Sequence, residues 1–338
     1  MKRLLTSTAL AAMVMAPAAT ADTFSIGVSN TVQGNGWREQ MICAMRAQSR
    51  DSGMVDRLVV AHRNTDAAGQ LEDLRNLIEA GVDAIVLNPS SPDALNSAIE
   101  DALEAGIVVV AVDQGVSADG VYILSNNQEE YAYLGARWLF EHIGGEGDVV
   151  YMRGAAGTSA DDDRHNGFTR ALEEFPGINV AHEVHTGWQQ DRGKQQMLDF
   201  LATGIPMDGV WTSGIDNVIV DAFVESGAPL VPIVGADNAG FVSQLLSVDG
   251  LEGAAVTNPG SVGGAGITLA LQVLQGDAPD DMTVLVDPVL WENVTEEGRA
   301  MIEGAQNPNL DPDWPVSVSI PGWTSYTTEE IIACEGPA

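Results

Sequence analysis

The sequence predicts an α/β protein of two Rossmann-like lobes, each a parallel sheet flanked by helices, joined by crossing hinge strands. Three observations carry this. Short β-branched runs alternate with segments of helical spacing from Phe24 onward, and the same alternation starts again near Asp148. About 317 of the 338 residues follow an N-terminal leader, more than one core usually holds.

In chain order, the leader comes first. Lys2 and Arg3 precede an apolar run from Leu4 to Ala16, and Ala19-Thr20-Ala21 supplies the small-x-small cleavage pattern, so residues 1–21 are expected to be a signal peptide. The first cysteine is Cys43, far past the cut, so no lipid anchor is expected. No later run reaches the length of a membrane helix, which predicts an exported, soluble product. Strands are then expected at Phe24–Val28, Leu58–Ala61, Ala84–Leu87 and Val108–Val112. Leu71, Leu74, Leu77 and Ile78 share one helical face, and Gly81 and Gly106 end two successive helices in the same Glu-Ala-Gly context. Ser91-Pro92 reads as a helix cap with proline in the first turn.

A polar stretch, Ser125 to Gln128, is expected to divide the halves. Second-half strands are expected at Asp148–Met152, Val180–Val184, Gly209–Trp211, Leu230–Val234 and Ala254–Val256, with right-handed crossovers between them. The proline-rich piece Asn307–Pro315 reads as a surface loop.

The formal charge is −33, and loss of Lys2 and Arg3 with the leader takes it to −35 with Lys194 as the remaining lysine. Such a surface repels nucleic acid and anionic lipid, which excludes those partners; its bland role is to keep the protein dissolved. Two cysteines in an oxidising compartment predict one disulfide, Cys43–Cys334, against the alternative of two buried thiols.

Ligands of open parallel sheets sit beyond the carboxyl ends of the strands. Asn88 follows Ala84–Leu87, Asp113 follows Val108–Val112, Asp237 follows Ile233–Ala236, and Asn258 follows Ala254–Thr257. Each alone reads first as a turn residue or helix cap. Four at corresponding ends of both halves point to a shared site between them. Trp37, in the glycine-rich loop after the first strand, and Trp188, in the loop after Val184, reach the same edge. An indole face packs on the C–H face of a sugar or polyol while Asp, Asn and Arg satisfy its hydroxyls. Core packing is the alternative for either ring. Arg164, preceded by Asp161, Asp162 and Asp163, reads as a pocket guanidinium or as an ion pair with those neighbours.

These residues resemble the periplasmic sugar-binding proteins of ABC importers, in the ribose-binding, type I group. The resemblance runs over nearly all the chain after the leader and weakens after about Pro288. Its most specific stretches are Ala84-Ile85-Val86-Leu87-Asn88-Pro89, Val112-Asp113, Gly157-Thr158-Ser159-Ala160 with Arg164 and Gly167-Phe168, and Val234-Gly235-Ala236-Asp237. It implies a type I periplasmic binding protein with an N-terminal lobe of residues 22–125 plus 259–287 and a C-terminal lobe of 126–258 plus 288–338.

It further implies that Asn35, Trp37, Asn88 and Asp113 line the pocket from one lobe, that Arg164, Trp188 and Asp216 line it from the other, and that Asp237 and Asn258 lie near the hinge. This chain departs from the pattern at several points. Arg38 stands in place of a second aromatic, Gln114 in place of an arginine, and Ala236 in place of a bulky residue. Gly214 falls where a pocket asparagine is expected, with Asp216 as the replacement two residues on. These departures point away from ribose, toward a related pentose, hexose or sugar alcohol.

The implied function is that of a monomeric periplasmic receptor, without metal or cofactor, that delivers its cargo to an ABC permease; a chemotaxis receptor is a second candidate partner. Two alternatives remain: a receptor for a signalling furanose or nucleoside, and an exported carbohydrate-active enzyme using Asp113 and Asp237 as an acid–base pair. Arg38, by removing a stacking surface, argues against a nucleoside. Against an enzyme, the chain lacks G-x-S-x-G, an intact G-x-G-x-x-G, a Walker loop and H-E-x-x-H. His182 and His185 fall on opposite faces of a strand, which argues against a metal site. A LacI-type regulator needs a basic DNA-reading helix pair where the leader stands.

Overall fold

The computed structural model describes residues 23–337, so the expected signal peptide lies outside the described residues. The first sheet contains β1 (Phe24–Asn30), β2 (Val55–His62), β3 (Ala84–Leu87), β4 (Val108–Val112), β5 (Tyr122–Asn126) and β11 (Thr283–Val286), in the order β2-β1-β3-β4-β5-β11. The second contains β6 (Glu146–Arg153), β7 (Gly177–His185), β8 (Gly209–Trp211), β9 (Ile233–Ala236), β10 (Gly253–Val256) and β12 (Leu290–Glu292), in the order β7-β6-β8-β9-β10-β12. The two orders are the same doubly wound pattern with one strand added at the edge from the tail. β12 pairs antiparallel with β10, and the other pairs are parallel.

Helices cover both faces of each sheet, which is why the central strands read as unbroken apolar runs. All four residues of β3 are buried. The chain crosses between sheets from β5 into α4 (Gln128–His142), from β10 into α9 (Val262–Leu274), and from β11 to β12. α9 thus returns to the first sheet after ten strands. Gly266 seats it there, since a Cβ at that position would stand 2.5 Å from a Val112 methyl.

Several expected elements differ in extent. The strand expected at Leu230–Val234 begins at Ile233, because Pro232 has no N–H to give the ladder; its carbonyl accepts from Val210 N instead. The helix expected to start at Ser91-Pro92 starts at Asn96 as α3 (Asn96–Glu104), and the Ser91 hydroxyl accepts from Ala94 N in a separate turn. Gly81 and Gly106 take the left-handed conformation expected just past α2 (Ala67–Glu79) and α3.

The tail departs most from expectation. Residues 288–338 do not all join the second lobe. Leu310 and Val316 pack in the second-lobe core, whereas Ile320 and Trp323 pack in the first. The short helix α11 (Thr328–Ala333) lies on α1 (Gly36–Asp51) with Tyr326 and Ile331 against Ala44 and Ala47. Cys43 and Cys334 are bonded, closing a loop of 291 residues. Nor is Asn307–Pro315 merely a surface loop: Pro315 O accepts from the buried Gln40 Nε2 at 2.6 Å, and Asp313 accepts from Asn217 at 2.9 Å. The tail is therefore a strap across both lobes.

At the start of α7 (Asp216–Ser226), Asp216 turns its carboxylate beneath β9. There it accepts from Gly214 N (3.1 Å), Ala236 N (2.9 Å) and Asn238 Nδ2 (2.7 Å). Gly235 leaves it room, because a Cβ there would stand 2.2 Å from the carboxylate. Burial pushes this carboxyl up to about 7, against the pull of those N–H groups and of Arg164.

Two outcomes follow from this packing. The double variant Cys43→Ser, Cys334→Ser should lose about 2–4 kcal/mol in urea unfolding; an unchanged midpoint would show that the strap holds without its bond. Because Asp216 binds its proton more tightly folded than unfolded, its stabilising share is full below the ordinary carboxyl range and lost as pH rises through about 7. The stability of wild type relative to Asp216→Asn should therefore fall by on the order of 3 kcal/mol between about pH 4 and pH 8. A difference that does not vary with pH contradicts the assignment.

Candidate functional site

Both sheets present the carboxyl ends of their strands to one cleft. Its cavity of about 980 Å³ lies at the top of the range for small-ligand sites. Each wall is built at a switch point, where the strand order reverses: the loops after β1 and β3 on one side, those after β6 and β8 on the other.

From the first lobe come Asn35, Trp37, Arg38, Asp113 and Gln114. Asn35 caps α1, its Oδ1 accepting from Arg38 N, while its Nδ2 donates across the cleft to Trp188 O at 3.0 Å. The Trp37 indole donates to Asn258 O at 2.7 Å, so the half-buried ring, packed on the edge of the first-lobe core, is anchored at the hinge. Arg38 is buried, with its guanidinium 5.7 Å from the Trp37 ring centre. Burial draws it below its ordinary value, and Asp113 opposes that.

Asp113 has φ 66, the left-handed region that Asp and Asn tolerate better than most side chains. That turn aims its carboxylate inward, where it accepts from Asn88 Nδ2 (3.2 Å) and Gln128 Nε2 (2.8 Å). Burial raises the carboxyl, and Arg38 and Arg164 hold it down.

Arg164, Trp188, Ser213 and Gly214 come from the second lobe. Arg164 lies on α5 (Ser159–Glu174) and donates from Nε to Gln128 Oε1 at 2.8 Å. Its guanidinium lies 4.5 Å from the Tyr131 ring centre and 5.6 Å from that of Trp188. The alternative of an ion pair with the preceding aspartates does not hold: Asp161 is taken by Arg153 (2.7 Å) and Gly154 N (2.7 Å). Gly154 has a second task. A Cβ there would come within 2.2 Å of the Trp188 indole, so the glycine makes room for this ring.

Three expected pocket residues stand behind the wall. Asn88 is fully buried and serves Asp113, also accepting from Gln114 Nε2 at 2.8 Å. Asp216 is corrected from ligand group to backbone clamp: with three donors beneath β9 it cannot face the cleft. Asp237 is likewise occupied, accepting from Asn258 N (2.8 Å) and Ser317 N (3.1 Å), so it holds the hinge and the strap together. Asn258 itself reaches the cavity wall.

Sequence reasoning missed Gln128, which marked only a lobe boundary, and Asp313, hidden in the irregular tail yet on the wall. Ser90, just past Asn88-Pro89, also lines it and was within reach of the strand-end rule. Among the described residues, no group of three or more His, Cys, Asp or Glu side chains is gathered to hold a metal.

Residues 26–278 match the model of the periplasmic binding protein domain. The chain is 26% identical over 261 residues to the xylitol-binding protein of Mycolicibacterium smegmatis, covering 73% of this chain and 74% of that one. It is 24% identical over 279 residues to the ribose import binding protein of Salmonella typhimurium, covering 81% and 92%. The fold superposes on an ABC transporter solute-binding protein of Thermobispora bispora with a TM-score of 0.77 at 26% identity, over 87% and 90% of the two chains. With the two-sheet topology, the cleft and a family match across most of its length, the chain belongs to the periplasmic binding protein domain family.

Proposed function

We propose that the protein is a periplasmic receptor that closes on one monosaccharide or sugar alcohol and delivers it to an ABC permease. The observation that carries this is the convergence, from both lobes on one cleft, of the Trp37 and Trp188 indoles, the Arg38 and Arg164 guanidiniums, the Asp113 carboxylate and several amides. Apolar flats with polar rims suit a ring or chain that has C–H faces and hydroxyl edges. The names of two relatives, xylitol-binding and ribose import binding, agree with that chemistry. Binding proteins rather than enzymes make up the relatives, so the carbohydrate-active enzyme is not carried further.

The pocket residues of this reading are Asn35, Trp37, Arg38, Asp113, Gln114, Arg164, Trp188 and Asn258. A ligand that touches both walls stabilises only the closed arrangement, and the resulting shift in population is the hinge closure that periplasmic binding proteins perform. The Asn35–Trp188 hydrogen bond is one contact that opening must break.

A thermal-shift screen over pentoses, hexoses and sugar alcohols tests the proposal. A true ligand at a hundredfold excess over its Kd adds about 2.7 kcal/mol to stability, a clear rise in Tm. A flat response to the whole panel, with a response to nucleosides or amino acids instead, overturns the ligand class. Within the panel's best binder, Trp188→Ala and Asp113→Asn should each weaken binding by about tenfold or more while unfolding stays cooperative. Asparagine suits position 113 because it tolerates the left-handed backbone that alanine would strain. Wild-type affinity in both variants refutes the residue assignment.

A further inference from the structure

We infer that Glu39, His62 and Asn30 form a hydrogen-bonded relay that positions Arg38 for the ligand and that fails when His62 is protonated. None of the three lines the cleft, and the inference rests on that cleft being the ligand site. Asn30 ends β1 in register with His62 at the end of the neighbouring β2, so the two side chains meet beneath the first-lobe wall.

The geometry fixes every hydrogen. Asn30 is fully buried, and its Nδ2 donates to Val32 O at 2.7 Å and meets His62 Nδ1 at 2.8 Å. With both amide hydrogens used, Oδ1 faces Arg38 Nη1 and accepts from it at 2.9 Å. For His62 Nδ1 to accept, the ring hydrogen must sit on Nε2, and Nε2 faces Glu39 at 3.0 Å. Glu39 Oε1 also accepts from Gly34 N at 2.6 Å, so the relay closes on the loop that carries Asn35 and leads into α1.

Protonating His62 places a hydrogen on Nδ1, opposite a donor. The Asn30 amide must then turn round, which presents its NH₂ to Arg38 and removes the donor from Val32 O. Arg38, buried and, among the described residues, without a carboxylate in salt-bridge contact, loses the Asn30 acceptor that holds it. The charged groups around His62 are few. Glu39 of α1 meets its Nε2 at 3.0 Å. Arg38 of the same helix lies across Asn30, and Asp113 at the end of β4 acts on that guanidinium. Arg63, next along the chain, is held by Asp73 of α2 at 2.9 Å.

His62→Gln separates positioning from packing, because glutamine offers an acceptor oxygen and a donor NH₂ but does not titrate. With xylitol as the probe, wild-type affinity should drop about tenfold between roughly pH 8 and pH 5.5, the cost of a lost hydrogen bond to a charged group. His62→Gln should hold its pH 8 affinity at both. An equal loss in the variant overturns the relay. In the ligand-free protein, nitrogen-15 spectra should show the Nε2–H tautomer, with Arg38 side-chain signals that move as His62 titrates and stay still in His62→Gln. An Nδ1–H tautomer, or Arg38 signals indifferent to His62, overturns the relay whether or not xylitol binds. Failure of xylitol to bind bears on the choice of sugar, which the thermal-shift panel decides separately.

Discussion

Gln128 joins the lobes at the first of the crossings between the two sheets. Its nitrogen donates to Asp113 Oδ1 and its oxygen accepts from Arg164 Nε, both at 2.8 Å. A buried carboxylate and a buried guanidinium are each costly when unpartnered, and a direct pair between them would spend the groups on each other. An amide set between them satisfies one face of each and leaves further lone pairs on the carboxylate and further N–H groups on the guanidinium. Gln128 is the first residue of α4, immediately past the first crossing from sheet to sheet. The polar floor of the cleft is thereby hung on the hinge, between the walls that carry Trp37 and Trp188.

The second support is the strap. Asp237 uses both carboxylate oxygens on backbone N–H groups, one at Asn258 in the hinge and one at Ser317 in the tail. The tail then runs from the second-lobe core to the first and is bonded to α1 through Cys43 and Cys334. Asp313 sits in this strap, on the cleft wall, held by Asn217. A segment that reads as irregular in sequence thus ties the lobes together and contributes to the surface a ligand would meet.

How far the sequence revealed this depends on how locally each feature is encoded. Buried parallel strands such as Ala84–Leu87 and Val108–Val112 announce themselves as apolar runs, and Gly81 and Gly106 mark helix ends because only a left-handed turn fits there. The edge strands β11 and β12 were not legible: β11 alternates exposed and half-buried residues, and β12 has three residues. The tail's path was hidden because its anchors, Leu310, Val316 and Ile320, are scattered and their partners distant. In the site, the position of Trp188 on the cleft was legible from its place after a strand, whereas Arg164 stood out only as a guanidinium behind three aspartates. Asp216 and Asp237 were misread because a strand-end carboxylate looks the same whether it meets a ligand or caps backbone N–H groups. Only three-dimensional donor geometry separates the two.

The most direct test is a crystal structure of the protein with the sugar or sugar alcohol that stabilises it most. The account predicts a ligand between the Trp37 and Trp188 rings, with hydroxyls on Asp113 and Arg164 and contacts from both lobes. A ligand held by one lobe alone, or seated anywhere outside this cleft, contradicts it.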